Sequence, residues 1–184
     1  MIRKEYKLIL EADAKAMGVD IKSFKKKVIL HFSNPRWQFI KKMRLTEYYK
    51  SKSNNPFFRF LYLVNYYYFK KYSFKMVYSI PLNVCGSGFS LPHYGTIVIS
   101  KKAKIGKNVR IHACVNIGET EGEAPIIGDN IFISPGVKIF RPIKLGNNIK
   151  IGANAVVNKS FEEDNIVIAG VPAKIVKRLN ELKK

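Results

Sequence analysis

Acidic residues are scarce in this chain of 184 residues: 13 aspartates and glutamates face 33 lysines and arginines, a formal net charge of +20. Such a balance disfavours basic partners and favours anionic ones, whether nucleic acid, a lipid surface or a phosphate-rich cofactor. Cysteine is nearly absent. Cys85 and Cys114 fit no metal-ligand spacing, and in a reducing compartment they read as free thiols that pack. Histidine is confined to His31, His93 and His112, and only the last two lie in the second half, too few there for a three-histidine zinc centre, so no metal is expected. Long apolar runs are missing as well. The opening "MIRKEYKLIL" is interrupted by Glu11 and Asp13 before it reaches the length of a signal-peptide core, which predicts a cytoplasmic chain. The aromatic run from Phe57 to Phe69 contains Arg59 and falls short of the roughly 20 residues of a membrane span.

Glycine is also unevenly placed. Residues 1 to 80 contain only Gly18, together with 18 basic and 5 acidic residues, a balance of +13. Segments "DIKSFKKKVILHF" and "PRWQFIKKMRLTEYYK" carry apolar residues at three- and four-residue spacings, and "NPFFRFLYLVNYYYFKKYSF" opens with an Asn55 cap and Pro56. These predict a helical region over 1–75, with His31 structural. The aromatic helix is expected to pack against the rest of the protein, with contact to a membrane surface as the alternative.

Beyond residue 96 the pattern changes. Ile99, Ile105, Ile111 and Ile117 recur every six residues, and after a ten-residue step so do Ile127, Ile133, Ile139, Leu145, Ile151 and Val157. Glycine follows five of these ten, and a small or aliphatic residue usually stands two places before. A period of six suits no amphipathic helix. It is the period of a parallel β-helix, in which each short strand turns its aliphatic residue inward and coils stack about 4.8 Å apart. The fold expected is mostly β, a parallel β-helix over 76–184 with a C-terminal cap. The step from Ile117 to Ile127 leaves four extra residues in "GETEGEAP" to bulge from a corner toward an acceptor or into solvent.

The segments "LPHYGTIVIS", "AKIGKNVRIH", "PIIGDNIFISPGVKIF", "IGANAVV" and "IAGVPAKIVKR" resemble those of the hexapeptide-repeat acyltransferases, in the serine acetyltransferase-like branch that includes surface-glycan O-acetyltransferases. The resemblance spans Leu91 to Arg178. It implies a left-handed β-helix, a homotrimer, acetyl-coenzyme A in the groove between neighbouring subunits, and a histidine base at that groove. Handedness comes from the resemblance alone, since the general crossover preference is right-handed. The base of the family's His-x-Thr-Gly-Ile-Val segment corresponds to His93, in His93-Tyr94-Gly95-Thr96-Ile97-Val98, with glycine and threonine exchanged.

A hydroxyl is a weak nucleophile at neutral pH, and an imidazole with an ordinary pKa of about 6.5 can take its proton as the oxygen attacks a thioester. Backbone N–H groups at a coil corner would receive the oxyanion. Serine acetyltransferases orient the base with an upstream aspartate and bind serine with a second histidine. Here those places hold Tyr78 and Ala124, so free serine is disfavoured and Tyr78 or Asn83 becomes the candidate partner of His93 or of the substrate. His112 follows His93 by 19 residues, close to one coil of 18, which predicts a second histidine about one rung (4.8 Å) away, or else a solvated corner residue. By resemblance the cofactor groove involves Gly118, Thr120, Ser134, Ala153, Gly170, Pro172, Ala173 and Lys174, with Lys150, Lys174, Lys177 and Arg178 offering charge to phosphates.

The expected activity is acetyl transfer to a sugar hydroxyl in surface-glycan biosynthesis. The alternatives are serine O-acetylation for cysteine biosynthesis and a catalytically silent structural trimer. Nucleic-acid binding has charge in its favour but no recognition motif.

Overall fold

The computed structural model describes residues 1–21 and 34–179. Most of the helix expected over Asp20–Phe32, His31 included, lies outside the described residues. Among the described residues three helices precede the β-structure: α1 (Arg3–Ala16), α2 (Pro35–Lys50) and α3 (Pro56–Met76). Proline at the first helical position and an asparagine cap start the latter two. Asn34 accepts from the Trp37 N–H at 3.1 Å and Asn55 from the Phe57 N–H at 2.9 Å, satisfying donors that a helix start leaves unpaired.

The rest is a parallel β-solenoid with three faces. The first face stacks β1 (Tyr78–Ser79), β2 (Ile97–Ile99), β5 (Val115–Ile117), β8 (Lys138–Ile139) and β11 (Val156–Val157). On the second face are β3 (Lys104–Ile105), β6 (Ile126–Ile127) and β9 (Lys144–Leu145), and Cys85 and Phe161 extend the pairing at either end. The third consists of β4 (Arg110–Ile111), β7 (Phe132–Ile133), β10 (Lys150–Ile151), β12 (Ile166–Gly170) and β13 (Ala173–Arg178); β13 turns back antiparallel on β12 as a cap.

Register explains the six-residue period. Ile99, Ile117, Ile139 and Val157 form one inward column, Ile105, Ile127 and Leu145 a second, and Ile111, Ile133, Ile151 and Ile168 a third, all buried. Each such side chain contributes about 1.5–3 kcal/mol on burial.

Two features escape the period. A first coil runs through Tyr78, Cys85 and Ser90, ahead of the regular repeats; its inward residues Ile80, Val84, Phe89 and Leu91 are irregularly spaced because the helices cover this end. The cover is held by Arg44, which is 3% exposed. Its guanidinium donates to Asp13 at 2.7 Å, to Glu47 at 3.0 Å, and to the carbonyls of Cys85 at 2.9 Å and Gly86 at 2.5 Å. Asp13 in turn accepts from the Phe89 N–H at 2.8 Å and Glu47 from the Asn83 N–H at 2.7 Å. Burial opposes the Arg44 charge, but the Glu47 and Asp13 carboxylates beside it outweigh that and raise its pKa. For Asp13, burial pushes the carboxyl up against the pull of Arg44.

The corner between the second and third faces carries a glycine column. A Cβ on Gly106 would lie 2.5 Å from the carbonyl oxygen of Gly128, so close stacking of backbone explains the glycine. Two residues on, Asn108, Asn130, Asn148 and Asn165 adopt φ of 54° to 60°, and their amides bond to one another along the stack, Asn108 to Asn130 and Asn148 to Asn165 at 3.0 Å.

Candidate active site

His93 and His112 stand on the edge where the third face turns into the first. The chain passes this edge once per coil, through Leu91–Thr96, then 112–114, 134–136 and 152–155. Coil length therefore brings the two imidazoles together, with ring centroids 5.6 Å apart at 45°. His93 is exposed and His112 half-buried. The Phe132 ring lies 4.9 Å from His112, and the Arg110 Nε–H points at His112 Nε2 from 3.4 Å, which leaves the imidazole proton on Nδ1. Burial, then Arg110 and His93, lower the His112 pKa, so that ring is neutral at neutral pH.

The Tyr78 hydroxyl donates to the backbone carbonyl of His93 at 2.6 Å. Tyr78 thus holds the histidine turn rather than the imidazole, and burial raises its pKa far enough to keep the phenol protonated. The turn is tied a second time by the Gly95 N–H to the Met76 carbonyl at 3.3 Å. Asn83 sits in a left-handed turn with its N–H on Glu47, part of the helix dock rather than of the His93 turn. Among the described residues no carboxylate hydrogen-bonds the His93 imidazole.

Ser134 and Ala153 lie farther along the histidine edge, on the third and fourth coils. The turn from Gly170 to Lys174, with Pro172 and Ala173, follows at the next rung, where β12 stacks on β10; a Cβ on Gly152 would come within 2.8 Å of the Ala169 Cβ of β12. Lys150 is exposed on the third face in register with Phe132 and Arg110, and Lys174 is exposed on β13 beside Lys177 and Arg178. From His93 to the cap this edge is about 20 Å long at 4.8 Å per coil.

Gly118 and Thr120 occupy a different edge, where the first face turns into the second. The "GETEGEAP" loop leaves from there as a small exposed hairpin in which Thr120 and Glu123 exchange hydrogen bonds of 2.8 and 3.1 Å. The resemblance groups these two with Ser134 and Ala153 in a groove between neighbouring subunits; within one chain the two pairs lie on different edges. Backbone donors at the candidate positions are largely spent on the ladder: Gly118 N–H bonds Ile139 O at 2.9 Å, and Ser134 N–H bonds Ile151 O at 3.2 Å.

The cysteines divide. Cys85 packs in the core, its thiol pushed up to about 12 by burial, whereas Cys114 is exposed at the histidine edge with φ of 61°, contrary to the packing role expected of it. Arg110 and Phe132 were overlooked because they occupy outward positions just before the aliphatic residue. Their offset of one and two coils from the histidine turn was the available signal. Among the described residues no three His, Cys, Asp or Glu side chains are grouped as metal ligands would be.

A solenoid of six-residue repeats with paired histidines on one edge is similar to the solenoids of serine acetyltransferases. The chain is 38% identical over 97 residues to the Staphylococcus aureus serine acetyltransferase, covering 50% of this chain and 45% of that protein, and 39% identical over the same length to the Staphylococcus epidermidis one. It thus spans about half the length of these relatives. A hexapeptide-repeat serine O-acetyltransferase of Brucella melitensis superposes with a TM-score of 0.72 at 27% identity over 95% of this chain and 71% of that one. The Brucella abortus serine acetyltransferase in complex with coenzyme A gives 0.71 at 25% identity, over 96% and 69%. No family model matches the chain.

Proposed function

We propose that this protein is an acetyl-coenzyme A-dependent O-acetyltransferase with His93 as general base. The observation that carries the reading is the exposed His93 on an edge that continues past Ser134 and Ala153 to the Gly170–Lys174 turn, in a chain related to serine acetyltransferases. His93 takes the proton of the acceptor hydroxyl as that oxygen attacks the thioester carbonyl. The tetrahedral oxyanion collapses, the C–S bond breaks, and the proton passes to the departing thiolate of coenzyme A. Neutral His112, next to His93, contributes shape and a hydrogen-bonding nitrogen without a competing positive charge. Lys150 and Lys174 offer ammonium groups to the coenzyme phosphates.

Serine is the acceptor favoured by the relatives, which are named for acetylating it. A sugar hydroxyl is the second reading, favoured by Tyr78 and Ala124 in the places of the family's orienting aspartate and serine-binding histidine. A homotrimer supports both: Gly118 and Thr120 line a second edge of the same chain and reach a donor on the histidine edge from a neighbouring copy. Acetyl-coenzyme A is made and used in the cytoplasm, where we place the enzyme. Release of free coenzyme A thiol from acetyl-coenzyme A, measured with L-serine and with a panel of sugars, tests the reading. His93→Ala should lower turnover by about 10²- to 10⁴-fold while the donor still binds. Near-normal turnover in that variant refutes the assignment of the base, and thiol release with serine but no sugar decides the acceptor.

A further inference from the structure

Helix α3 gathers ten of the chain's 22 phenylalanines and tyrosines, and the fold buries only one side of it. Phe69, Ser73 and Met76 face the protein, with the Phe69 ring 5.5 Å from Phe39. On the opposite side, at three- and four-residue steps or their sum, stand Phe57, Phe60, Leu63, Tyr67 and Phe74, which are 56% to 80% exposed. Isolated apolar residues at a surface are ordinary, but a stripe of large rings along a whole helix calls for a cover. The helix contains no aspartate or glutamate, and its cations are Arg59, Lys70, Lys71 and Lys75. Among the described residues no helix is long and apolar enough to cross a membrane.

We propose that α3 is a membrane-surface anchor, lying along an anionic phospholipid leaflet with its ring stripe at the boundary of headgroups and acyl chains. Charge selects this occupant. A second copy would bring the same acid-free helix on a chain of net charge +20, whereas lipid phosphates supply the missing anions. Rings with an apolar body suit the headgroup boundary, and each cation near an anionic surface raises partition by about fivefold. The inference is independent of the acceptor. It has a consequence for the site, however, because the C-terminal end of α3 carries the Met76 carbonyl that binds the His93 turn. Docking would hold the histidine edge beside the leaflet.

The test uses the full chain with vesicles of phosphatidylglycerol plus phosphatidylcholine, and of phosphatidylcholine alone. Co-sedimentation is expected with the anionic vesicles, weaker as salt rises, and at least about tenfold weaker for Phe57→Ser/Phe60→Ser/Tyr67→Ser, which leaves the charge unchanged. Circular dichroism checks that this variant, altered only at exposed positions, is folded. A second variant, Phe60→Trp, should shift its emission to the blue on anionic vesicles and be quenched by brominated acyl chains; Trp37, 3% exposed, gives a constant background. Equal binding of the triple variant, or no quenching of Phe60→Trp, would mean that net charge alone attracts the protein and would overturn the anchor. Failure of the wild type to bind, with a fall in solution mass on making the triple variant, would overturn it in favour of a contact between copies.

Discussion

Replacing Arg44 by methionine tests what fixes the helices to the solenoid. Methionine keeps much of the length and apolar body of the side chain but removes the guanidinium, which makes five hydrogen bonds to four residues. Asp13 and Glu47, 0% and 3% exposed, are then left as two buried carboxyl groups without a cation, and the carbonyls of Cys85 and Gly86 lose a donor. Breaking a buried pair in this way costs about 3–5 kcal/mol. Against the roughly 5–15 kcal/mol that a typical domain has in total, this is a large share. The loss should depend on pH with a definite sign. Burial already pushes the Asp13 carboxyl up against the pull of Arg44, and without Arg44 nothing opposes it, so the folded variant binds a proton there at pH values where its unfolded chain does not. The difference from wild type should therefore shrink as the pH falls through the raised Asp13 pKa and widen as it rises above it. Urea unfolding followed by circular dichroism, at fixed protein concentration and at several pH values, measures both effects. A loss below about 1 kcal/mol, the scale of an exposed pair, or a difference that does not vary with pH would refute the buried-cluster account.

Other outcomes are expected elsewhere. Tyr78→Phe removes the hydrogen bond to the His93 carbonyl, costing about 1 kcal/mol in stability, and should lower kcat while leaving KM for the donor nearly unchanged; an unaltered kcat would separate Tyr78 from the positioning of the base. Arg110→Ala should raise the His112 pKa toward the ordinary histidine value in an NMR titration, because a neighbouring cation that disfavours the imidazolium is gone. Gly106→Ala should cost about 1–3 kcal/mol in thermal or urea unfolding, as its methyl meets the Gly128 backbone, which cannot move aside, as well as the Asp129 carboxylate that holds the Lys107 N–H. Trimer formation should appear as a threefold mass in light scattering, and a fully active monomer would remove the shared groove.

The solenoid was legible because the same constraint recurs on every coil. Ile111, Ile133, Ile151 and Ile168 occupy equivalent positions, and any one of them predicts the others. The pairing of His93 with His112 followed from the same arithmetic. Their spacing of 19 residues put them one rung apart, and the rings lie 5.6 Å from each other. What recurs only once was not legible. Arg44 meets Asp13 across 31 residues and Cys85 across 41, and none of these residues is unusual in its own surroundings. The asparagines at 108, 130, 148 and 165 did carry a readable signal, a residue tolerant of left-handed backbone two places after each corner begins, but one weaker than the aliphatic period. The grouping of Gly118 and Thr120 with Ser134 and Ala153 rests on the resemblance and on a groove shared between subunits; within one chain the two pairs lie on different edges, a relation that no spacing in a single chain encodes.

A stack of identical coils has no internal reason to stop, since the last strand on any face offers the same unpaired backbone as the one beneath it. Here the two ends are closed by unlike means. At one end the Arg44 cluster seats helices on the first coil; at the other, β13 reverses direction against β12 and presents Lys174, Lys177 and Arg178 at the outer rim of the third face. Reversal spoils the parallel register that another copy would need to add its own coil, and the Lys174 and Lys177 charges repel a copy charged in the same way; Arg178 is paired with Glu163 at 2.7 Å. The cap thus works as a terminator against end-to-end growth into filaments and leaves the sides of the prism as the surface on which the proposed trimer would build its shared groove.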